Sequence, residues 1–184
     1  MPLKSLVILA EGFEEIEAIT PVDILRRAGI RVTTAGLEGL SVKGSRGVTI
    51  VADKVLGEDD QDFDAVILPG GTNGAENLAS SQTVNQLLKT MNNNGKIVAA
   101  ICASPALVLA PAGILDNKYA TCYPGMEENF SNYTTFKEDR VVVDGNIITS
   151  RGPGTALEFA LAIVEKMAGK DAGKKIRTAT LASW

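Results

Sequence analysis

From Ile97 to Leu115 the chain reads IVAAICASPALVLAPAGIL, nineteen residues without a charge. A helix that spans a bilayer needs about 20 apolar residues with unbroken internal hydrogen bonding. Here Ser104, Pro105, Pro111 and Gly113 interrupt the run, and each proline removes a backbone donor. Membrane insertion is therefore not expected. The spacing predicts a central strand over KIVAAI, a sharp turn at CAS, and a short helix over PALVLAPAG opened by Pro105 and closed near Pro111 and Gly113. That arrangement puts Cys102 at the turn.

The same alternation runs along the chain. SLVILA (5–10) is an apolar run without helical period, and EEIEAITPVDILRRAG after it has helical character, ending on Arg26 and Arg27 with Gly29 as C-cap. Pro21 inside it predicts a kink, or a restart capped locally by Thr20 and Asp23. IRVTTAGL is β-branched and reads as a second strand, VTIVADKVL (48–56) as extended structure, and FDAVILPGG as an apolar strand closed by a tight Pro-Gly-Gly turn. Val84, Leu87, Leu88 and Met91 stand at i, i+3, i+4 and i+7, one buried helix face ended by Gly95. KYATCY, then RVVVDGNIIT with an Asp-Gly hairpin turn, precede TALEFALAIVEKMAG, a helix expected to pack through Leu157, Ala160, Leu161 and Val164. Apolar strands joined by amphipathic helices imply a largely parallel sheet covered on both faces, a doubly wound α/β fold. The 184 residues suit one such domain, 1–184.

Composition excludes several functions. The net charge is −4 and Lys and Arg are not clustered, which argues against nucleic-acid binding. The start, MPLKSLVILAEGFEE, turns acidic at once and lacks the small-residue cleavage site of a signal peptide. Two cysteines, Cys102 and Cys122, make no disulfide framework and point to a reducing cytoplasm, with room for one bridge between them. The histidine count is 0. Cys–His and Ser–His catalysis are thereby removed, and too few ligands are left for a zinc site. Metal is not expected.

Candidate chemistry gathers at three turns. Ala100 and Ser104, two before and two after Cys102, are small, as a nucleophile elbow requires for the close approach of strand and helix. The C-terminal end of a strand is where open α/β sheets bind ligands, and a helix N-terminus is expected to lower a thiol pKa. The alternative is a buried cysteine acting as a small hydrophobe, and spacing alone weighs the two evenly. Gly70 and Gly71, after another strand, are free to aim backbone N–H groups at an anion near Cys102. Glu14 and Glu15 are explained by the helix dipole. Glu17, placed between Ile16 and Ile19 near the expected buried stripe, would be desolvated and its pKa raised, making it the leading acid/base candidate.

LVILAEGFEEIEAITPVDILRRAGIRVTTAGL, GSRGVTI, DAVILPGG, GAENL, IVAAICASPALVLA and ITSRGPGTALEFALAIVE occur in that order. Together they resemble the ThiJ/PfpI superfamily, in the branch of the Parkinson-disease protein DJ-one. The resemblance implies a single-domain, flavodoxin-like homodimer without cofactor. Cys102 would be the nucleophile and Glu17 its protonated partner, the amides of Gly71 and Ala103 would form an oxyanion hole, and Arg46 would lie near the pocket with Arg27 supplied by the second subunit. It implies glyoxalase or deglycase chemistry on methylglyoxal, glyoxal or their adducts, or instead a redox sensor or chaperone whose cysteine oxidises to sulfinate. An amidase or protease is disfavoured without a Cys–His pair. In one place the chain departs from the family: TCYP stands where THP is usual, so the position of the histidine is held by Tyr123. A phenol, ordinarily ionising near pH 10, is a poor base at neutral pH.

Overall fold

The computed structural model describes residues 2–58 and 60–182. Strand β1 (Lys4–Leu9) leads through helix α1 (Glu15–Arg27) to β2 (Arg31–Gly36). The hairpin of β3 (Ser41–Lys43) and β4 (Thr49–Val51) and the short β5 (Lys54–Val55) precede β6 (Ala65–Leu68), α2 (Thr72–Ser80), α3 (Gln82–Asn93) and β7 (Ile97–Ile101). After the cysteine come β8 (Tyr119–Ala120) and β9 (Thr135–Phe136), the antiparallel pair β10 (Val141–Asp144) and β11 (Ile147–Ser150), and the helices α4 (Ala156–Ala168) and α5 (Lys170–Ala179).

Seven strands form one sheet in the order β10-β11-β7-β6-β1-β2-β5, parallel except for the β10 edge. From β1 the chain crosses to β2 on one side, and from β6 it crosses to β7 on the other. Right-handed crossovers then put α1 and the α2–α3 pair on opposite faces. Helix α4 packs on α1 and α5 on α4, completing the first layer. The strand order reverses between β1 and β6, and the crevice beyond the carboxyl ends of strands at such a point is where open α/β sheets hold ligands. The central strands β6 and β7 carry only apolar residues because both faces are covered, and the wholly buried Phe13, Phe159, Leu25 and Leu88 fill the layers beside them.

Local chemistry sets the helix ends. At α1, Gly29 takes φ 78° and donates to Arg26 O, while Ile30 donates to Leu25 O, so a glycine beyond the last turn closes the open carbonyls. Helix α1 runs through the buried Pro21 without a restart, and Pro21 forgoes the hydrogen bond that an ordinary residue would donate to the Glu17 carbonyl. Ser81 accepts from the Val84 amide and starts α3, whose buried face is Val84, Leu87, Leu88 and Met91. Helix α4 buries Ala160, Leu161 and Val164, but Phe159 and Ile163 take the place expected of Leu157, which is only half-buried. Ladder pairing continues to Asp144 opposite Ile147, so the hairpin turn is Gly145-Asn146.

The segment after β7 is not an ordinary short helix. Pro105–Leu109 winds as a π-turn, with Ala110 N donating to Pro105 O and Ile114 N to Leu109 O across five residues. Cys102 itself has φ 65°, a left-handed conformation that is uncommon outside glycine. It is held from three sides. Its N–H donates to Ser150 O at 3.0 Å, its C=O accepts from Tyr123 N at 2.8 Å, and two residues on the buried Ser104 hydroxyl donates to Pro69 O at 2.5 Å. Ser104→Ala leaves that buried carbonyl without its hydroxyl donor and should cost about 1–3 kcal/mol in urea unfolding. A loss below about 0.5 kcal/mol would show that the tie contributes little beyond what a surface change does.

Candidate active site

Three segments meet at the reversal of strand order: the turn from β1 into α1, the Pro69-Gly70-Gly71 turn after β6, and the Cys102 elbow after β7. The amides of Gly71 and Ala103 both reach the Cys102 sulfur and stabilise its anion. They can do so only because Gly70 and Gly71 carry no side chains. A Cβ on Gly70 would sit 2.5 Å from Cys102 Cβ and 2.9 Å from Ile101 O. Gly71 has φ 81°, and a Cβ there would meet Gly12 O and the Glu14 amide. Glycine is needed at both positions for close approach, and at Gly71 for its backbone angle as well.

Glu17 reaches this turn from α1 and is fully buried. The stripe expected to bury it is turned outward, with Ile16 54% and Ile19 45% exposed. Glu17 lies on the opposite face with Ala18, Pro21, Val22 and Leu25, directed at the sheet. Its Oε2 accepts from the Gly70 amide at 2.8 Å, and Oε1 has no conventional hydrogen-bond partner. Burial pushes its pKa up to about 7, the Glu14 charge adding to the rise and contacts with Cys102 and the Gly70 amide opposing it. A carboxyl with one orphaned oxygen is more stable protonated, as a donor toward sulfur, than as a buried anion.

The thiol moves in the direction opposite to that expected of a helix N-terminus. Burial first, and then the Glu17 charge, push Cys102 up to about 12, against the pull of the Gly71 and Ala103 amides. The two groups titrate as a pair. A thiolate forms most readily when Glu17 keeps its proton, because the charge that opposes it is then absent. Cys122 is also pushed up to about 12, by burial and Glu127, with Arg151 pulling it down. It receives no amide donor that lowers its pKa and is wholly buried, whereas Cys102 is 9% exposed and opens on a pocket.

That pocket, about 410 Å³, brings together Cys102, Gly71, Tyr123 and Arg46. The Tyr123 ring is half-exposed in its wall. Arg27 is elsewhere, at the far end of α1, where its Nε donates to Asp23 at 2.7 Å. Sequence reasoning missed Glu14 and Glu15. The Glu14 side chain caps α1 by accepting from Glu17 N at 2.8 Å and also lines the pocket. Glu15 reaches across to the loop after β3, accepting from Arg46 N at 2.7 Å, Val48 N at 3.3 Å and Ser45 Oγ at 3.3 Å. Burial is the largest single effect and raises its pKa, but these hydrogen bonds together outweigh it and hold the pKa below the ordinary value, and they seat Arg46 at the pocket rim. Met126 and Pro153 also line the pocket. Nothing in their sequence context signals it, since they arrive on loops far along the chain. Among the described residues no cluster of three or more His, Cys, Asp or Glu side chains is arranged to hold a metal, and no helix is long and apolar enough to cross a membrane.

A doubly wound sheet with a cysteine on a left-handed elbow, two amides on its sulfur and a buried carboxyl beside it defines an α/β protein with a buried cysteine–carboxyl pair at the carboxyl ends of its strands. A model of the DJ-1/PfpI family matches residues 3–166, and the chain belongs to that family. The protein dj-1beta of Drosophila melanogaster is 46% identical over 187 residues, 100% of each chain. The crystal structure of Drosophila melanogaster DJ-1beta superposes with a TM-score of 0.95 over 100% of both chains. Protein DJ-1 homolog B of Arabidopsis thaliana is 48% identical over 178 residues, 96% of this chain, which spans 40% of that longer protein. A glutathione-independent glyoxalase of Caenorhabditis elegans, DJR-1.2, is 39% identical over 171 residues, 91% of each chain.

Two measurements test the site. Glu17 binds its proton in the folded state up to about pH 7, against an ordinary value of 4.5. Between these values the folded state holds the proton and the unfolded state does not, so stability falls as pH rises. Glu17→Gln removes that loss, and its stability relative to wild type should improve by about 3 kcal/mol between pH 4 and pH 8. An unchanged difference would mean that Glu17 is not protonated in the folded protein. Iodoacetamide at pH 7.5 should label Cys102 before Cys122, read by peptide mass spectrometry. Equal rates would remove the distinction between the thiols.

Proposed function

We propose that this protein is a cofactor-independent glyoxalase, converting methylglyoxal, glyoxal or their adducts to hydroxy acids through Cys102. The observation that supports it best is a buried carboxyl with a pKa of about 7 next to a sulfur that receives two amide donors. In the proposed sequence the Cys102 thiolate adds to the aldehyde carbon, and the new oxyanion is held by the Gly71 and Ala103 amides. Glu17 moves a proton from the former aldehyde carbon to its neighbour, which oxidises the first carbon and reduces the second without an external oxidant. The resulting thioester is hydrolysed by water, and the thiol returns. The name of the worm relative, a glutathione-independent glyoxalase, agrees with this reading.

A second reading shares the sulfur. The amides that hold an oxyanion are equally suited to the oxygens of a sulfinate, which favours oxidation at Cys102 over Cys122 and a redox-sensing role. Either reading extends to a homodimer. The outward Ile16 and Ile19 on α1 are apolar surface suited to a second copy, with Arg27 carried on the same helix toward it.

Incubation with methylglyoxal in the absence of glutathione should produce lactate. Cys102→Ser should abolish it, and Glu17→Gln should lower turnover by about 100-fold or more while peroxide still oxidises the thiol. Lactate at the level of buffer, or equal activity in Cys102→Ser, would overturn the glyoxalase reading and leave the redox one.

A further inference from the structure

The pocket is larger than methylglyoxal requires. At about 410 Å³ it falls in the range of roughly 300–1,000 Å³ that holds drug-sized ligands, whereas a substrate of five heavy atoms fills a small part of that space. Its lining is also mixed in character. Beside the polar Ser45, Arg46 and Asn73, the lining includes Tyr123, Met126 and Pro153.

Tyr123 is held beside the nucleophile. Its amide donates to the Cys102 carbonyl at 2.8 Å, so its backbone moves with the elbow. One edge of its ring lies against Gly152, whose missing Cβ would stand 3.4 Å from Cδ2 and 3.6 Å from Cε2. The phenol is thus a supported aromatic surface bordering the reacting carbon. Any substituent on the carbon next to the attacked aldehyde is within two bonds of the sulfur-bound carbon, in the same pocket that Tyr123 lines.

We infer that Tyr123, with Met126, makes the pocket selective for 2-oxoaldehydes bearing a flat apolar substituent, aryl glyoxals above all, over methylglyoxal. The inference rests on the glyoxalase reading and specifies its substrate class. An aromatic substituent gains burial against Met126 and Pro153 and an offset or edge contact with the Tyr123 ring. A methyl group reaches too little of this surface. One further methylene in such a pocket changes specificity by about 10-fold or more, and a phenyl ring offers more contact than that. The mechanism is unchanged: the aldehyde carbon is still attacked, and phenylglyoxal plus water gives mandelate.

The test compares kcat/KM for phenylglyoxal and for methylglyoxal, without glutathione, in wild type, Tyr123→Phe, Tyr123→Ala and Met126→Ala. The wild-type ratio should favour phenylglyoxal by at least about tenfold. Tyr123→Phe keeps the ring and should keep the ratio. Tyr123→Ala should lower the ratio by about tenfold, and Met126→Ala by a smaller factor through a side chain that lines the same pocket. Taking the ratio within each variant separates recognition of the substituent from general damage to turnover. Cys102-dependent activity that favours methylglyoxal, or a ratio unmoved by Tyr123→Ala, would overturn the inference and leave the glyoxalase reading standing. Absence of Cys102-dependent turnover on both substrates would overturn both.

Discussion

Gly70 joins the three segments of the site through its backbone, and its lack of a side chain is what lets them meet. Its amide donates to Glu17 Oε2 and its carbonyl accepts from Glu14 N at 2.9 Å, so the turn after β6 is tied to the start of α1 from both directions. On its other side the elbow approaches to the distance at which a single methyl group would collide with Cys102. The Ser104 hydroxyl binds the preceding carbonyl, that of Pro69, and draws the elbow in. The parallel sheet supplies the scaffold, because β1, β6 and β7 end side by side and deliver these turns to one place.

Closeness has an electrostatic consequence. A carboxyl and a thiol buried together cannot both ionise without mutual repulsion. Glu17 therefore keeps its proton up to neutrality, and the amides of Gly71 and Ala103 pull the thiol toward its anion against burial and the Glu17 charge. A chain without histidine has few other ways to keep an acid near pH 7 beside a thiol. Burial of a glutamate accomplishes it, and Glu14, one turn away, adds to the effect.

The rim is built by a different device. Glu15 spends its carboxylate on the Ser45-Arg46 loop instead of remaining a solvated charge at a helix start. Adjacent residues on one turn of α1 thus have separate tasks: Glu14 caps the helix, Glu15 fixes the loop that carries Arg46, and Glu17 faces the sulfur. Tyr123 contributes a ring to the pocket and a backbone hydrogen bond to the elbow.

Much of this was legible in residue order. Uncharged strands alternating with amphipathic helices specify a parallel sheet covered on both faces, since only burial on both sides accommodates wholly apolar strands. The small residues around Cys102 and the paired glycines after β6 marked the turns, because close approach requires them locally. The missing histidine limited the chemistry by composition alone. What the sequence could not decide depended on which surfaces meet. Helix α1 offers two apolar faces, one with Ile16 and Ile19 and one with Ala18, Val22 and Leu25, and contact with the sheet and α4 selects the second, which buries Glu17. The direction of the Cys102 shift was likewise a tertiary outcome. The elbow's own backbone favours the anion, but burial and a carboxylate brought from 85 positions earlier in the chain outweigh it. Periodicity and composition act within a segment and can be read from it, whereas desolvation and charge coupling arise only when distant segments are packed together.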